Sequence, residues 1–145
     1  MDALELLLKL IKRFEGCRLK AYYCPAGVLT CGWGSTGADI LPNTVWTQDY
    51  ADRRCIRDAN MFLKAARALC PEASEGQLAA AADFAYNMGV GRLKTSTFRK
   101  KLNAGDINGA VFQLKKWNKA RVKGGMVELP GLTKRRQAEA ELLIQ

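Results

Sequence analysis

The sequence of 145 residues contains no histidine, no C-x2-C pair and no long apolar run. Without histidine, we expect no zinc site and little change of net charge across neutral pH. The apolar start is interrupted by Asp2, Glu5 and Lys9, well short of the roughly 20 residues that a membrane span needs. It also lacks the basic beginning and the small-residue cleavage site of a signal peptide. We therefore expect no stable membrane insertion.

Positive charge is in excess, because 23 Lys and Arg face 14 Asp and Glu, which gives a net charge of +9. Such an excess indicates an anionic partner, which could be nucleic acid, a membrane surface or an acidic polymer, although it can also serve solubility alone. The five cysteines are an odd number, so at least one stays unpaired within a monomer. A monomer is what we expect.

A helix followed by a small hairpin is predicted for the first third of the chain. Apolar residues recur at helical spacing from Leu4 to Phe14. Aromatic and β-branched residues then flank a turn at Pro25-Ala26-Gly27, which is the usual hairpin signal. Alternation along the outgoing strand places Cys31 with the bulkier residues that face the core and points Thr30 toward a cleft.

The rest of the chain is predicted to be helical. Segment 48–69 can form one long helix that ends before Pro71. Ser74 and Gln77 fit a capping box that opens an alanine-rich helix. Three shorter helices follow, and a glycine-containing loop over 121–130 precedes the last of them. The pattern predicts an α+β fold with one small antiparallel sheet.

Three polar residues have a spacing that suggests catalysis: Glu15, eight residues, Cys24, five residues, Thr30. Together with the segments Asp83–Asp106 and Leu129–Glu139, this spacing resembles the phage lysozymes, the endolysins of glycoside hydrolase family 24. Their pattern is Glu-x8-Asp/Cys-x5-Thr. The three blocks stand in the family's order and cover about two fifths of the chain.

The resemblance implies a single lysozyme-like domain over residues 1–145. A small N-terminal lobe with a β-hairpin sheet would occupy about 14–46, and a long linking helix about 47–70. A mostly helical C-terminal lobe would follow over about 71–145, with helix 2–14 packed on it.

The activity that the resemblance implies is that of a muramidase, a glycoside hydrolase that cuts the β-1,4 bond between N-acetylmuramic acid and N-acetylglucosamine in peptidoglycan and lyses the host. Glu15 would be the general acid, kept protonated by apolar neighbours such as Phe14, and Cys24 and Thr30 would position and activate water in an inverting reaction. Most relatives carry aspartate where Cys24 stands, and a free thiol has a pKa of about 8.5. Whether Cys24 acts as a base, positions water or attacks covalently therefore stays open. No cofactor is implied.

Substrate contacts are also expected around the cleft. The candidates are Gly34, Ser35, Asn87, Phe98 and Asn118. Relatives usually carry histidine where Ser35 stands, so any salt bridge made by that histidine is missing. By the same resemblance, Arg135 and Arg136 match the family's closing helix, where we expect them to support the fold rather than to touch substrate.

A redox switch and a release route complete the implied biology. Some exported relatives block their site with cysteine bonds, and a Cys17–Cys24 disulfide would consume the catalytic thiol here. The alternative is that Cys17, Cys24 and Cys31 are unrelated and stay reduced. Because the sequence shows no export signal, we expect the protein to wait in the host cytoplasm until a holin releases it to the periplasmic peptidoglycan.

Two other functions stay open from the sequence. A lytic transglycosylase would use Glu15 alone and would release an anhydro sugar. A non-catalytic basic module would bind the cell wall or nucleic acid without cutting either, although we expect no nucleic-acid binding.

Overall fold

The computed structural model describes all 145 residues and has an α+β fold. Seven helices and two antiparallel hairpins follow each other as α1 Ala3–Glu15, β1 Arg18–Tyr23, β2 Leu29–Gly32, α2 Gln48–Leu69, α3 Glu75–Met88, α4 Val90–Thr95, α5 Thr97–Asn103, α6 Ile107–Lys115, β3 Lys119–Val122, β4 Gly125–Glu128 and α7 Pro130–Leu143. None of the helices combines the length and the apolarity that a membrane crossing needs.

Helix α1 begins and ends on local signals. The Asp2 side chain caps it by accepting a 2.9 Å hydrogen bond from the backbone N–H of Glu5. Its apolar stripe packs against α3, α2 and α7, with Leu7 and Ile11 fully buried. The helix ends at Glu15, so this carboxylate lies at the point where the chain leaves the helical core for the β1–β2 hairpin.

The β1–β2 hairpin pairs Tyr22 with Thr30 and has a bulge between Arg18 and Tyr22. Cys31 is fully buried, as the alternation predicted. That Thr30 points toward the cleft stays a prediction, but the residue is only 4% exposed. The reason is that residues 30–32 are all buried here, because α2 packs on β2 and covers a surface that alternation alone would leave half open.

Helices α2 and α3 form the centre of the molecule. The bounds of α2 are those predicted, with Thr47 as the N-cap, and α3 opens with the predicted capping box between Ser74 and Gln77. Alanine occupies 79–82, and all four residues are fully buried. Such small side chains allow close packing of helices, and α3 contacts α1, α2, α4 and α7.

The β3–β4 hairpin occupies most of the segment that the sequence analysis assigned to a loop, so the prediction of a single sheet is wrong. The strands pair from Lys119 with Glu128 to Val122 with Gly125. Gly124 and Gly125 have φ of 100° and 137°, a left-handed conformation that a tight turn needs and that glycine adopts without strain. The helix that follows starts at Pro130, earlier than predicted, with proline at its first turn.

Candidate active site

Glu15 is the centre of the site, because its carboxylate reaches from the end of α1 into the junction with α7. One oxygen, Oε2, accepts a 2.7 Å hydrogen bond from Nη1 of Arg135. The side chain of Glu15 remains 20% exposed, whereas that of Arg135 is 4% exposed. The surroundings of Glu15 thus include a buried cation, where the sequence analysis expected apolar neighbours alone.

Arg135 is itself held in place by Asp83 of α3. The carboxylate of Asp83 accepts two hydrogen bonds of 2.8 Å, from Nε and from Nη2 of the guanidinium. Asp83 is fully buried, and burial alone would raise its pKa; the charge of Arg135, the hydrogen bonds with Glu139 and Arg135 and the charge of Arg136 together hold the pKa below its ordinary value. A bidentate pair of this kind fixes the plane of the guanidinium. It therefore also fixes the position of Nη1, which donates to Glu15.

A second buried pair continues the network along α7. Arg136 lies 2.7 Å from Glu139 and donates a 2.9 Å hydrogen bond to its other oxygen. Arg136 also donates to the side chain of Asn87 at 2.9 Å. Burial and the neighbouring Asp83 raise the pKa of Glu139 well above its ordinary value, against the opposing charge of Arg136.

The sequence analysis missed the direct contact of Arg135 with Glu15. It expected both arginines to support the fold rather than to touch substrate, which stays a prediction; the structure adds that Arg135 also binds the Glu15 carboxylate. No local signal in the sequence marks the pairing, because Glu15 and Arg135 stand 120 positions apart.

The loop from Trp33 to Asp39 passes directly over Glu15. A Cβ atom at Gly34 would lie 2.5 Å from Oε1 of Glu15, so the absence of a side chain there lets the backbone approach the carboxylate. Tyr86 of α3 anchors the loop by donating a 2.6 Å hydrogen bond to the carbonyl of Trp33. This contact connects the loop to the helical lobe.

A buried ionic cluster on α2 anchors the other end of that loop. Ser35 is buried and donates a 2.7 Å hydrogen bond to Asp58, which also accepts from Nε of Arg54 at 3.1 Å. Arg54 further donates to Asp39 and to the carbonyl of Thr36. Ser35 thus makes a hydrogen bond across to α2, although it cannot supply the charge of a histidine.

Cys24 and Thr30 lie at the two strands that border the β1–β2 turn. The hydroxyl of Thr30 donates a 2.9 Å hydrogen bond to the carbonyl of Val28, and Cys24 is a partly exposed free thiol. Tyr22, opposite Thr30 in the ladder, links them to the carboxylate: burial, and then the nearby charge of Glu15, raise the pKa of Tyr22. Tyr22 therefore lies beside Thr30 and near enough to Glu15 to respond to its charge.

Of the predicted substrate contacts, only Gly34 lies directly against Glu15. Ser35 and Asn87 are engaged by Asp58 and Arg136 as described, and Asn118 donates a 3.1 Å hydrogen bond to Thr133. Phe98 is fully buried, with its ring 5.5 Å from that of Phe84. A substrate cannot reach Phe98 in this structure, which makes it a core residue.

All five cysteines are free thiols. The Cys17 sulfur faces α2, where the Gln48 side chain donates to it at 3.6 Å. The Cys17–Cys24 switch stays a prediction. No group of three His, Cys, Asp or Glu side chains is placed to hold a metal ion.

An α+β chain in which a helix-end carboxylate faces a small hairpin lobe has the architecture of the lysozymes. Comparison with known proteins identifies the family: residues 12–139 match the family model described as Phage lysozyme. The chain is 42% identical over 138 residues to an endolysin of Acyrthosiphon pisum secondary endosymbiont phage 1, covering 93% of this chain and 92% of the relative. It is 35% identical over 139 residues to a SAR-endolysin of Bacteriophage PS119, covering 90% and 76%.

Among solved structures, the endolysin from Escherichia coli O157:H7 phage FAHEc1 superposes with a TM-score of 0.86 at 32% identity, over 100% of this chain and 94% of that one. The chain therefore belongs to the phage lysozyme family. It is a peptidoglycan-hydrolysing enzyme of the endolysin type, as the resemblance in its sequence implied.

Proposed function

We propose that the protein is a muramidase that hydrolyses the β-1,4 bond between N-acetylmuramic acid and N-acetylglucosamine, with inversion at the anomeric carbon. Glu15 is the general acid, and Cys24 and Thr30 bind and activate the attacking water. The observation that carries the proposal is the Glu15 carboxylate, held by the buried Arg135 at the junction of the two lobes.

The two oxygens of Glu15 have different surroundings, which suits an acid. Oε2 is occupied by Arg135, whereas Oε1 lies beside Gly34. The guanidinium fixes the orientation of the carboxyl group, and Oε1 is the oxygen left to deliver a proton to the leaving sugar. Gly34 itself presents no side-chain acceptor that would compete for this proton.

The water in this proposal binds between Cys24 and Thr30. The hydroxyl of Thr30 donates its hydrogen bond to the Val28 carbonyl. Its lone pairs therefore stay available to accept a hydrogen bond from a water molecule. The partly exposed thiol of Cys24 provides the second contact. An inverting enzyme needs such a water on the face of the sugar opposite the acid.

The test is a pair of matched variants on the same helix. Glu15→Gln should abolish clearance of permeabilised Gram-negative cells, while Glu5→Gln, an exposed change of the same kind, should leave it intact. NMR of the fresh product should show the α-anomer at the new reducing end. Formation of β-anomer would contradict inversion, and full activity of Glu15→Gln would overturn the proposal.

A lytic transglycosylase is the second candidate, since the site has one well-placed carboxylate and a thiol in place of the usual aspartate. Its products are anhydro sugars that are lighter by one water than those of hydrolysis. Mass spectrometry of the released muropeptides separates the two reactions.

The route to the wall is proposed to be release through a holin. The SAR-endolysin relative offers the alternative of signal-anchor release. Expression of this 145-residue chain in a Gram-negative host should cause lysis only after the inner membrane is permeabilised. Spontaneous lysis without permeabilisation would contradict the need for a holin.

A further inference from the structure

The excess of positive over negative charge in this chain comes from one segment, residues 90–134. Residues 90–134 contain eleven Lys and Arg but only two acidic residues, which already gives +9; the remaining residues contain twelve of each. Within 90–134 the only ion pair is Lys101 with Asp106, at 3.6 Å. The other cations of this segment have no acidic partner in the protein.

The β3–β4 hairpin presents part of this charge at its free end. Lys119 lies opposite Glu128 at the base of the ribbon, whereas Arg121 lies opposite Met126 and Lys123 is in the turn. Arg121 and Lys123 are exposed and form no ion pair, and Met126 between them is 54% exposed. Because each strand has four residues, the turn with Lys123 lies about 10–14 Å from the base of the hairpin.

The base of this hairpin is connected to the active site through α7. The carbonyl of Trp117 accepts a 3.3 Å hydrogen bond from Arg136, the residue that follows the Arg135 bound to Glu15. Just outside the paired strands, the backbone N–H of Leu129 donates a 2.9 Å hydrogen bond to the carbonyl of Asn118, which joins the two chain ends at the base of the hairpin. Glu15 and the segment that leads into the hairpin thus contact consecutive residues of α7, and this is the observation that relates the hairpin to a polymer bound over Glu15.

We propose that the β3–β4 hairpin is a recognition arm for the acidic peptides attached to the glycan, with Arg121 and Lys123 binding their carboxylates. The inference rests on the proposed function, because it takes a peptidoglycan strand to be the polymer at Glu15. A carboxylate-bearing peptide fits better than a lipid surface: apart from Glu128 at the base, the exposed side chains of the ribbon are cations, valines and one methionine, without the aromatic residues that anchor proteins at a membrane interface.

The experiment compares two soluble substrates, uncrosslinked glycan strands that keep their peptides and the same strands stripped of peptides by an amidase. The wild-type chain should have a higher kcat/KM on the peptide-bearing strands. The double variant Arg121→Gln/Lys123→Gln should reduce this preference at least about fivefold, mainly through KM, because each charge at a rim contributes a few-fold.

The matched control is Lys64→Gln/Arg67→Gln, which removes one exposed lysine and one exposed arginine from α2, outside the cationic segment. It should keep the wild-type preference, and thermal unfolding should show both variants folded. An equal loss in both variants would point to diffuse charge and would overturn the proposal.

Three further results would also overturn the proposal: no preference in the wild type, an equal fall on both substrates, or hairpin-dependent binding to phosphatidylglycerol vesicles with the preference unchanged. The proposed function fails separately. If the products are anhydro sugars but the preference depends on the hairpin, peptide recognition stands and hydrolysis does not.

Discussion

Replacing Gly34 by alanine tests how closely the loop and the carboxylate of Glu15, the proposed general acid, depend on each other. The backbone of Gly34 has φ of 82°, and an added Cβ would lie 2.5 Å from Oε1 and 2.8 Å from Cδ of Glu15. A left-handed alanine costs roughly 1–2 kcal/mol. The clash adds a second effect, because the carboxylate must move and its hydrogen bond to Arg135 must bend or break.

The two effects can be separated with Gly105→Ala. Gly105 has φ of 78°, and a Cβ there meets nothing within 4 Å, so it carries the backbone strain without the clash. Gly105→Ala should lose about 1–2 kcal/mol of stability and Gly34→Ala at least as much, and for a chain of this size Tm falls by about 2–4 °C per kcal/mol.

Only Gly34→Ala should lose activity in a clearance assay at a temperature where both variants are folded. We expect a loss of about 10²-fold, since a displacement near 1 Å at a reacting group has that effect. Equal activity of the two alanine variants would refute the reasoning, because it would mean that the position of Glu15 does not depend on the loop.

The remaining predictions concern the buried charges and the hairpin. Asp83→Asn should destabilise the fold by about 3–5 kcal/mol at pH 7, because it leaves Arg135 without its buried partner. Since the folded-state pKa of Asp83 is lowered, its contribution to the free energy of unfolding is present above pH ~4 and is lost as the pH falls below it. Denaturant titrations from pH 3 to 7 should show this loss in the wild type and not in the variant. Because the folded-state pKa of Glu139 is raised, its stabilising contribution is fully present below the unfolded-state pKa of about 4.3 and is lost as pH rises. Glu139→Gln cannot ionise, so denaturant titrations over pH should lack this loss in the variant, and an unchanged pH dependence would contradict the assignment. Cys24→Ala should lower lysis by ~10²–10⁴, whereas Cys24→Asp should keep it and extend it to lower pH, since a carboxylate ionises far below a thiol; a pH profile of clearance checks both.

The helices were largely predictable because their signals are local. The capping residues Thr47 and Ser74 and the breaker Pro71 lie within a few residues of the ends they determine. The same kind of signal was available for β3–β4, where two consecutive glycines stand between Val122 and Met126, a pattern typical of a hairpin turn. The high polarity of the flanking strands hid it, because alternation is hard to see when neither face is buried.

Exposure within the site was harder to predict than secondary structure. Alternation predicts which side chains share a face of β2, but whether a face is open depends on what packs against it. Here α2 covers β2, and Thr30 is buried although its neighbours in sequence gave no sign of it. The hydrogen bond that Ser35 donates to Asp58, 23 positions away, likewise has no local signal in the sequence.

The spacing from Glu15 to Thr30 identifies Glu15 as the candidate acid, but it contains neither Arg135, which binds the carboxylate, nor Asp83, which orients Arg135. Arg135 comes from α7, 120 positions away, and is oriented by Asp83, which stands 52 positions before it on a third element, α3. These three side chains meet only because α3 packs against both α1 and α7. The charge at the acid is therefore a property of the helical core, and a substitution such as Asp83→Asn should reach Glu15 through Arg135 without altering any residue of the motif from Glu15 to Thr30.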